Sequence, residues 1–103
     1  MQPERRCVPR RPFVAAVQAT DLESGVELTG DTGDLSLFGC FMSTSTPFPH
    51  GTKLRLYIVH GGTRFAALGR VAYARSNQGM GIVFSSIEPD DQTVLGEWLA
   101  EVE

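Results

Sequence analysis

The sequence predicts an all-β domain of about six short strands with one C-terminal α-helix, arranged as a small barrel or sandwich. Three observations carry that expectation. The run Lys53-Leu54-Arg55-Leu56-Tyr57-Ile58-Val59 alternates, with Leu54, Leu56 and Ile58 on one face and Lys53, Arg55 and Tyr57 on the other. Gly, Pro, Asn and Asp punctuate the other apolar runs at short intervals. Only at the end do apolar residues (Val94, Leu95, Trp98, Leu99 and Val102) repeat at helical steps.

The elements follow in order. Residues 1–12 hold Pro3, Pro9 and Pro12 and no periodicity, so they are expected to be a flexible arginine-rich arm leading into the barrel and helix of 13–103, the whole of 1–103 forming a single domain. Phe13 to Ala19 is a short apolar run, a buried strand. Asp21 to Gly25 carries turn residues, and Val26 to Leu28 is a second short strand. Gly30-Asp31-Thr32-Gly33-Asp34 is dense in Gly and Asp and is expected to be a loop. Leu35 to Ser43 is mostly apolar around Gly39, another strand. Thr44 to Thr52 contains Pro47, Pro49 and Gly51, which forbids a regular central strand.

His60-Gly61-Gly62-Thr63 supplies the Gly-Gly pair of a tight hairpin turn, so Arg64 to Arg75 returns antiparallel as a long strand. Ser76 to Gly79 is a further turn before a last strand, Met80 to Phe84. Pro89 suits a first helical position, and Asp90 and Asp91 complement the positive end of the helix dipole. Trp98 is expected to pack this helix onto the sheet. Gly96 costs the helix up to about 1 kcal/mol relative to Ala, and its missing side chain points to a close approach there.

Composition narrows the function classes. The 103 residues suffice for one domain, and 42% hydrophobic with 20% charged residues is the balance of a soluble globular protein. No apolar run approaches the ~20 residues of a membrane span. The start has no long apolar run of a secretory signal. Cys7 and Cys40 form no CxxC pair and make no zinc spacing with His50 and His60. Cys40 is therefore expected in the core and Cys7 as a thiol of a reducing cytoplasm. Neither histidine is paired with a nucleophile, and no phosphate-loop or dinucleotide fingerprint is present, so neither catalysis nor a cofactor is expected.

Charge gives the positive signal. Arg5, Arg6, Arg10 and Arg11 are four of the nine basic residues, and without them the formal charge of −3 becomes −7. A local arginine cluster on an acidic domain asks for an anionic partner. The guanidinium fork matches phosphate and the O6/N7 edge of guanine. The overall negative charge excludes the extended basic face that a nucleic-acid polymer needs.

Two segments carry the chemistry: Arg5-Arg6-x-x-x-Arg10 and Asp34-x-Ser36-x-x-Gly39. Pro9 and Pro12 oppose a continuous helix, so the guanidinium groups can converge on one anion from an extended arm. Asp34 and Ser36 lie two apart at an expected strand start and would share a face. A carboxylate there can accept from paired N–H donors, such as guanine N1 and N2. Gly39 permits a close approach or a bulge.

These residues resemble the PilZ domain, a bacterial receptor module for cyclic di-GMP whose signature is R-x-x-x-R followed by [D/N]-x-S-x-x-G. Arg6-Cys7-Val8-Pro9-Arg10 and Asp34-Leu35-Ser36-Leu37-Phe38-Gly39 match it, 24 positions apart from Arg10 to Asp34. Gly69 to Tyr73 is similar to the family's long penultimate strand, and Gly79-Met80-Gly81-Ile82-Val83-Phe84 to its closing strand. The resemblance implies a six-stranded antiparallel β-barrel with a C-terminal helix, acting as a cytoplasmic signalling receptor or adaptor. It implies that Arg6 and Arg10 grip phosphates and guanine edges, with Arg5 assisting. Asp34 and Ser36 would hydrogen-bond a guanine and Gly39 would keep the surface open. Tyr73 is the candidate for stacking on a base. Arg75, expected on Tyr73's face while Arg70 is not, is an auxiliary contact, and Arg11 is expected to point away. The alternative within the family is a ligand-independent protein interaction domain. In either case a downstream protein partner is expected, and no membrane or nucleic-acid polymer.

Overall fold

The structure, a computed structural model, describes residues 11–101. Arg5, Arg6, Cys7 and Arg10 lie outside the described residues, as does Val102. The elements are β1 (Arg11–Pro12), β2 (Ala16–Asp21), β3 (Glu27–Leu35), β4 (Gly39–Ser43), β5 (Lys53–His60), β6 (Thr63–Arg75), β7 (Gly79–Ser86) and α1 (Pro89–Glu101). Strands β3-β2-β5-β6-β7-β4 are antiparallel neighbours, and β4 pairs back onto β3. The result is a closed six-stranded antiparallel barrel with one C-terminal helix, as expected. β1 is a two-residue addition on β3.

The alternation in β5 does what a period of two requires: Leu54, Leu56 and Ile58 are fully buried. They meet Phe65 and Val71 of β6 and Met42 and Met80 of β4 and β7 in one core. Cys40 is also buried there. The β5–β6 hairpin turns at Gly61 and Gly62 with φ of 60° and 79°, a conformation that costs glycine nothing.

Four local expectations need correction. Gly30 to Asp34 is not a loop but the middle and end of β3, paired with β2 at Asp31 and with β4 at Asp31, Thr32 and Asp34. Partners on both sides override the turn preference of Gly and Asp. Leu35 to Ser43 is not one strand: β3 ends at Leu35, Ser36–Phe38 forms a tight turn, and β4 begins at Gly39. β2 begins at Ala16 rather than Phe13, because the ladder is interrupted there. The buried Thr32 hydroxyl fills the break, accepting the Ala15 N–H at 2.9 Å and donating to the Phe13 carbonyl. Gly96 is exposed and a side chain there would meet open space, so it marks no close approach.

The helix closes one opening of the barrel. Leu95 and Trp98 are buried, with Val94 and Leu99 packed at the edge. β7 pairs with β6 only as far as Leu68↔Ser86. Beyond that point Asp91 of α1 accepts the Ala66 N–H of β6 at 2.9 Å, so a helix side chain takes the place of a strand partner. No helix among the described residues is long and apolar enough to cross a membrane.

Candidate functional site

The outer face over β3, β4, β7 and β6 gathers Asp34, Gly39, Tyr73 and Arg75, and backbone irregularity is what aims them. Thr32 pairs with Met42, but Asp34 pairs with Phe41, so Gly33 is an extra residue in β3. The bulge shifts the phase by one. It keeps Leu35 in the core and turns Asp34 outward. A second bulge does the same in β6: Val71 pairs with Ile82 but Tyr73 with Gly81, leaving Ala72 extra. Tyr73 and Arg75 thereby face outward, although unbroken alternation from buried Val71 would send them inward.

Facing partners across a ladder share a face, so Asp34, Phe41, Gly81 and Tyr73 form one row across four strands. Asp31, Ser43, Gly79 and Arg75 form the next. Asp34 is half-buried, and its Oδ1 accepts the Phe41 N–H at 3.2 Å. The Tyr73 ring lies over Gly81: a Cβ at Gly81 would stand 2.2 Å from a ring carbon. Its centroid is 6.3 Å from that of Phe41, and the Arg75 guanidinium is 5.3 Å from its centre on the same face.

The Ser36–Phe38 turn is tied to itself. The Ser36 N–H donates to the Gly39 carbonyl at 2.9 Å. The Ser36 hydroxyl accepts the Phe38 N–H at 3.1 Å and donates to the Gly39 carbonyl at 3.4 Å. Ser36 is only 7% exposed. It therefore does not share an open face with Asp34: the bulge and the turn separate two side chains that simple alternation would align. Gly39 sits where β4 and β7 come close, and a Cβ there would lie 2.1 Å from the Ile82 carbonyl oxygen. Ser36, Phe38, Gly39, Tyr73, Gly81 and Val83 border a surface hollow of about 240 Å³. Asp34 stands outside its lining.

The residues singled out from the sequence fall into three groups. Arg5, Arg6 and Arg10 lie outside the described residues. Asp34, Gly39, Tyr73 and Arg75 share the outer face, and Ser36 is turned into the hairpin. Arg70 also faces outward, contrary to its expected separation from Tyr73, because the bulge at Ala72 restores it to the same side. Sequence reasoning passed over Phe41 and Phe38, since an aromatic in an apolar run carries no signal of facing outward. Among the described residues, no cluster of His, Cys, Asp and Glu is placed to hold a metal ion.

The place where the chain enters the barrel completes the geometry. The backbone of β1 pairs Arg11 with Leu35 and Pro12 with Asp34. The chain that follows Arg10 thus joins the barrel against the first residues of the Asp34–Gly39 motif.

Comparison with known proteins agrees with this architecture. The family model described as PilZ domain matches residues 4–101. The PilZ domain of CeSA from a cellulose-synthesizing bacterium is similar at 20% identity with a TM-score of 0.72, over 90% of this chain and 96% of that one. The PilZ domain of YcgR from Escherichia coli, solved with c-di-GMP, is similar at 16% identity and TM-score 0.77, over 96% and 92%. The inhibitor of motility (MotI/DgrA) of Bacillus subtilis is similar at 20% identity and TM-score 0.77, over 96% of this chain but 51% of its own length. At these identities the likeness is one of fold, and the chain spans about half of the last protein. No curated protein matches the sequence.

Proposed function

The chain belongs to the PilZ domain family, and from that premise we propose that it is a receptor domain for cyclic di-GMP. The observation that carries the reading is the pairing of Arg11–Pro12 with Leu35 and Asp34. Connectivity then tethers Arg10 one residue from the motif that would share its ligand. The related YcgR domain was solved with the same dinucleotide.

In this reading residues 1–12 are an arm and 13–103 the barrel, with β1 at the joint. Arg6 and Arg10 hold the phosphates and the guanine edges through charge-assisted bidentate bonds, and Arg5 adds a third fork. Asp34 offers its carboxylate to guanine N1 and N2. Ser36 holds the turn, since its hydroxyl is committed to Phe38 and Gly39. Gly39 keeps β4 tight on β7, and Tyr73 with Arg75 flanks the base. The domain acts in signalling by binding rather than by catalysis, passing the ligand-bound state to a protein partner in the cytoplasm.

Calorimetric titration of the intact chain tests this. Cyclic di-GMP is expected to bind with micromolar or tighter affinity. Arg10→Ala should lose about ten- to a hundredfold, the worth of one charged hydrogen-bonded contact. Arg64→Ala should change little, because its guanidinium is placed 4.7 Å over the Tyr57 ring on β5. Absence of binding at millimolar ligand, or equal losses from the two variants, contradicts the proposal.

A further inference from the structure

Phe38 is the one large apolar side chain of the motif turn that borders the hollow. The residue is 64% exposed. Its backbone is nevertheless held on both sides, by the Ser36 hydroxyl at 3.1 Å and by the Phe84 N–H donating to its carbonyl at 2.8 Å. Neighbouring Leu37 is also exposed, at 52%, but takes no part in the lining of the hollow. The exposure of Phe38 therefore has a fixed place: a pinned turn sets this residue at the rim of one concavity.

Tyr73 borders the same hollow from β6, while Phe38 borders it from the β4 side. Two inter-strand spacings separate β6 from β4, so these aromatic walls are roughly 10 Å apart across the sheet. The floor between them includes Gly39 and Gly81, positions with no side chain to obstruct a flat ligand.

We infer that Phe38 is a stacking platform for one guanine of the dinucleotide, a subsite separate from the arginines and from Asp34. The inference rests on the proposed reading of this face as a cyclic di-GMP site. Any base presents a π-face to an aromatic ring, and a ring whose main chain is already fixed loses little freedom on being covered.

The test is a titration of the full chain with cyclic di-GMP in four forms: wild type, Phe38→Ala, Phe38→Trp and Leu37→Ala. Phe38→Ala should weaken binding about five- to a hundredfold, the range for one base–aromatic stack, with an unchanged unfolding temperature. Leu37→Ala should stay within about twofold, as surface substitutions do. Phe38→Trp should keep the affinity, and stacking on guanine should quench its indole emission above the constant signal of buried Trp98. Wild-type affinity in Phe38→Ala, an equal loss in Leu37→Ala, or bound Phe38→Trp without quenching would each overturn the inference while leaving the receptor reading intact. A wild-type chain that binds nothing overturns the receptor reading, and this inference with it.

Discussion

The opening of the barrel under α1 and the outer face over β3, β4, β7 and β6 are built from different materials. At the opening, ring packs on ring. Trp98 lies 5.5 Å from Phe13 and 6.0 Å from Phe65, with His60 edge-on at 5.5 Å. His60 also reaches Glu101 of the helix at 3.2 Å. On the outer face little apolar surface is buried, and backbone makes the shape: the bulges at Gly33 and Ala72, one tied turn, and glycines where strands or rings come too close for a side chain. The first region gains its stability from apolar area removed from water. The second gains little and instead fixes where polar and aromatic groups point. Stability and recognition should therefore respond to different substitutions.

The strongest way to break that contrast is Trp98→Ala. Removing a buried indole should destabilise the domain by about 3–5 kcal/mol, read as a lower urea midpoint at unchanged slope. At a temperature where the variant is still folded, its affinity for cyclic di-GMP should stay near that of the wild type. A large affinity loss in the folded variant would mean that the helix and the outer face are coupled.

A pair of glycines sharpens the contrast within the outer face. Gly39→Ala drives a Cβ onto the Ile82 carbonyl oxygen, a backbone atom that cannot move without parting β4 from β7. The expected cost is about 1–3 kcal/mol, together with weakened binding, because the motif turn ends there. Gly81→Ala meets instead the ring of Tyr73, which can swing away. Its cost should be about 1 kcal/mol, at the low end for overpacking, with any loss of affinity reporting on Tyr73 and the floor of the hollow together. Equal destabilisation in the two variants would contradict this distinction between backbone and side-chain obstacles.

The same contrast explains what could be read from the sequence. β5, the Gly61–Gly62 turn and α1 were legible because burial imposes a period on them: every second residue of β5 and the Leu95–Trp98 stripe must be apolar. The motif residues were legible as types, but their placement was not. A bulge is invisible in composition, and one extra residue reverses every later inference about faces. Gly33 and Ala72 are such residues, which is why Asp34 and Ser36 part company while Arg70 joins Tyr73 and Arg75. The Gly-Asp run of β3 read as a loop because its partners are distant in sequence, and a ladder on both sides leaves no local trace.

The smallest expected effect belongs to a site outside both regions. Asp21 ends β2 and its Oδ1 accepts the N–H groups of Glu23 at 2.9 Å and Ser24 at 3.4 Å, closing the β2–β3 turn. The Glu23 N–H is the main cause holding its carboxyl below the ordinary value of 3.8. A carboxyl with a lowered folded-state pKa contributes stability above its unfolded value and loses it as pH falls through the folded one. Asp21→Asn keeps an oxygen that can accept one of these bonds but removes the charge. Wild type should therefore have a slightly higher urea midpoint than Asp21→Asn at pH 6, and that advantage should vanish as the pH is lowered below the ordinary carboxylate range. Cyclic di-GMP affinity at neutral pH should be the same in both, because this turn touches neither the ring cluster nor the outer face. An advantage that persists in strong acid would show that turn geometry, not the carboxylate charge, supplies the difference.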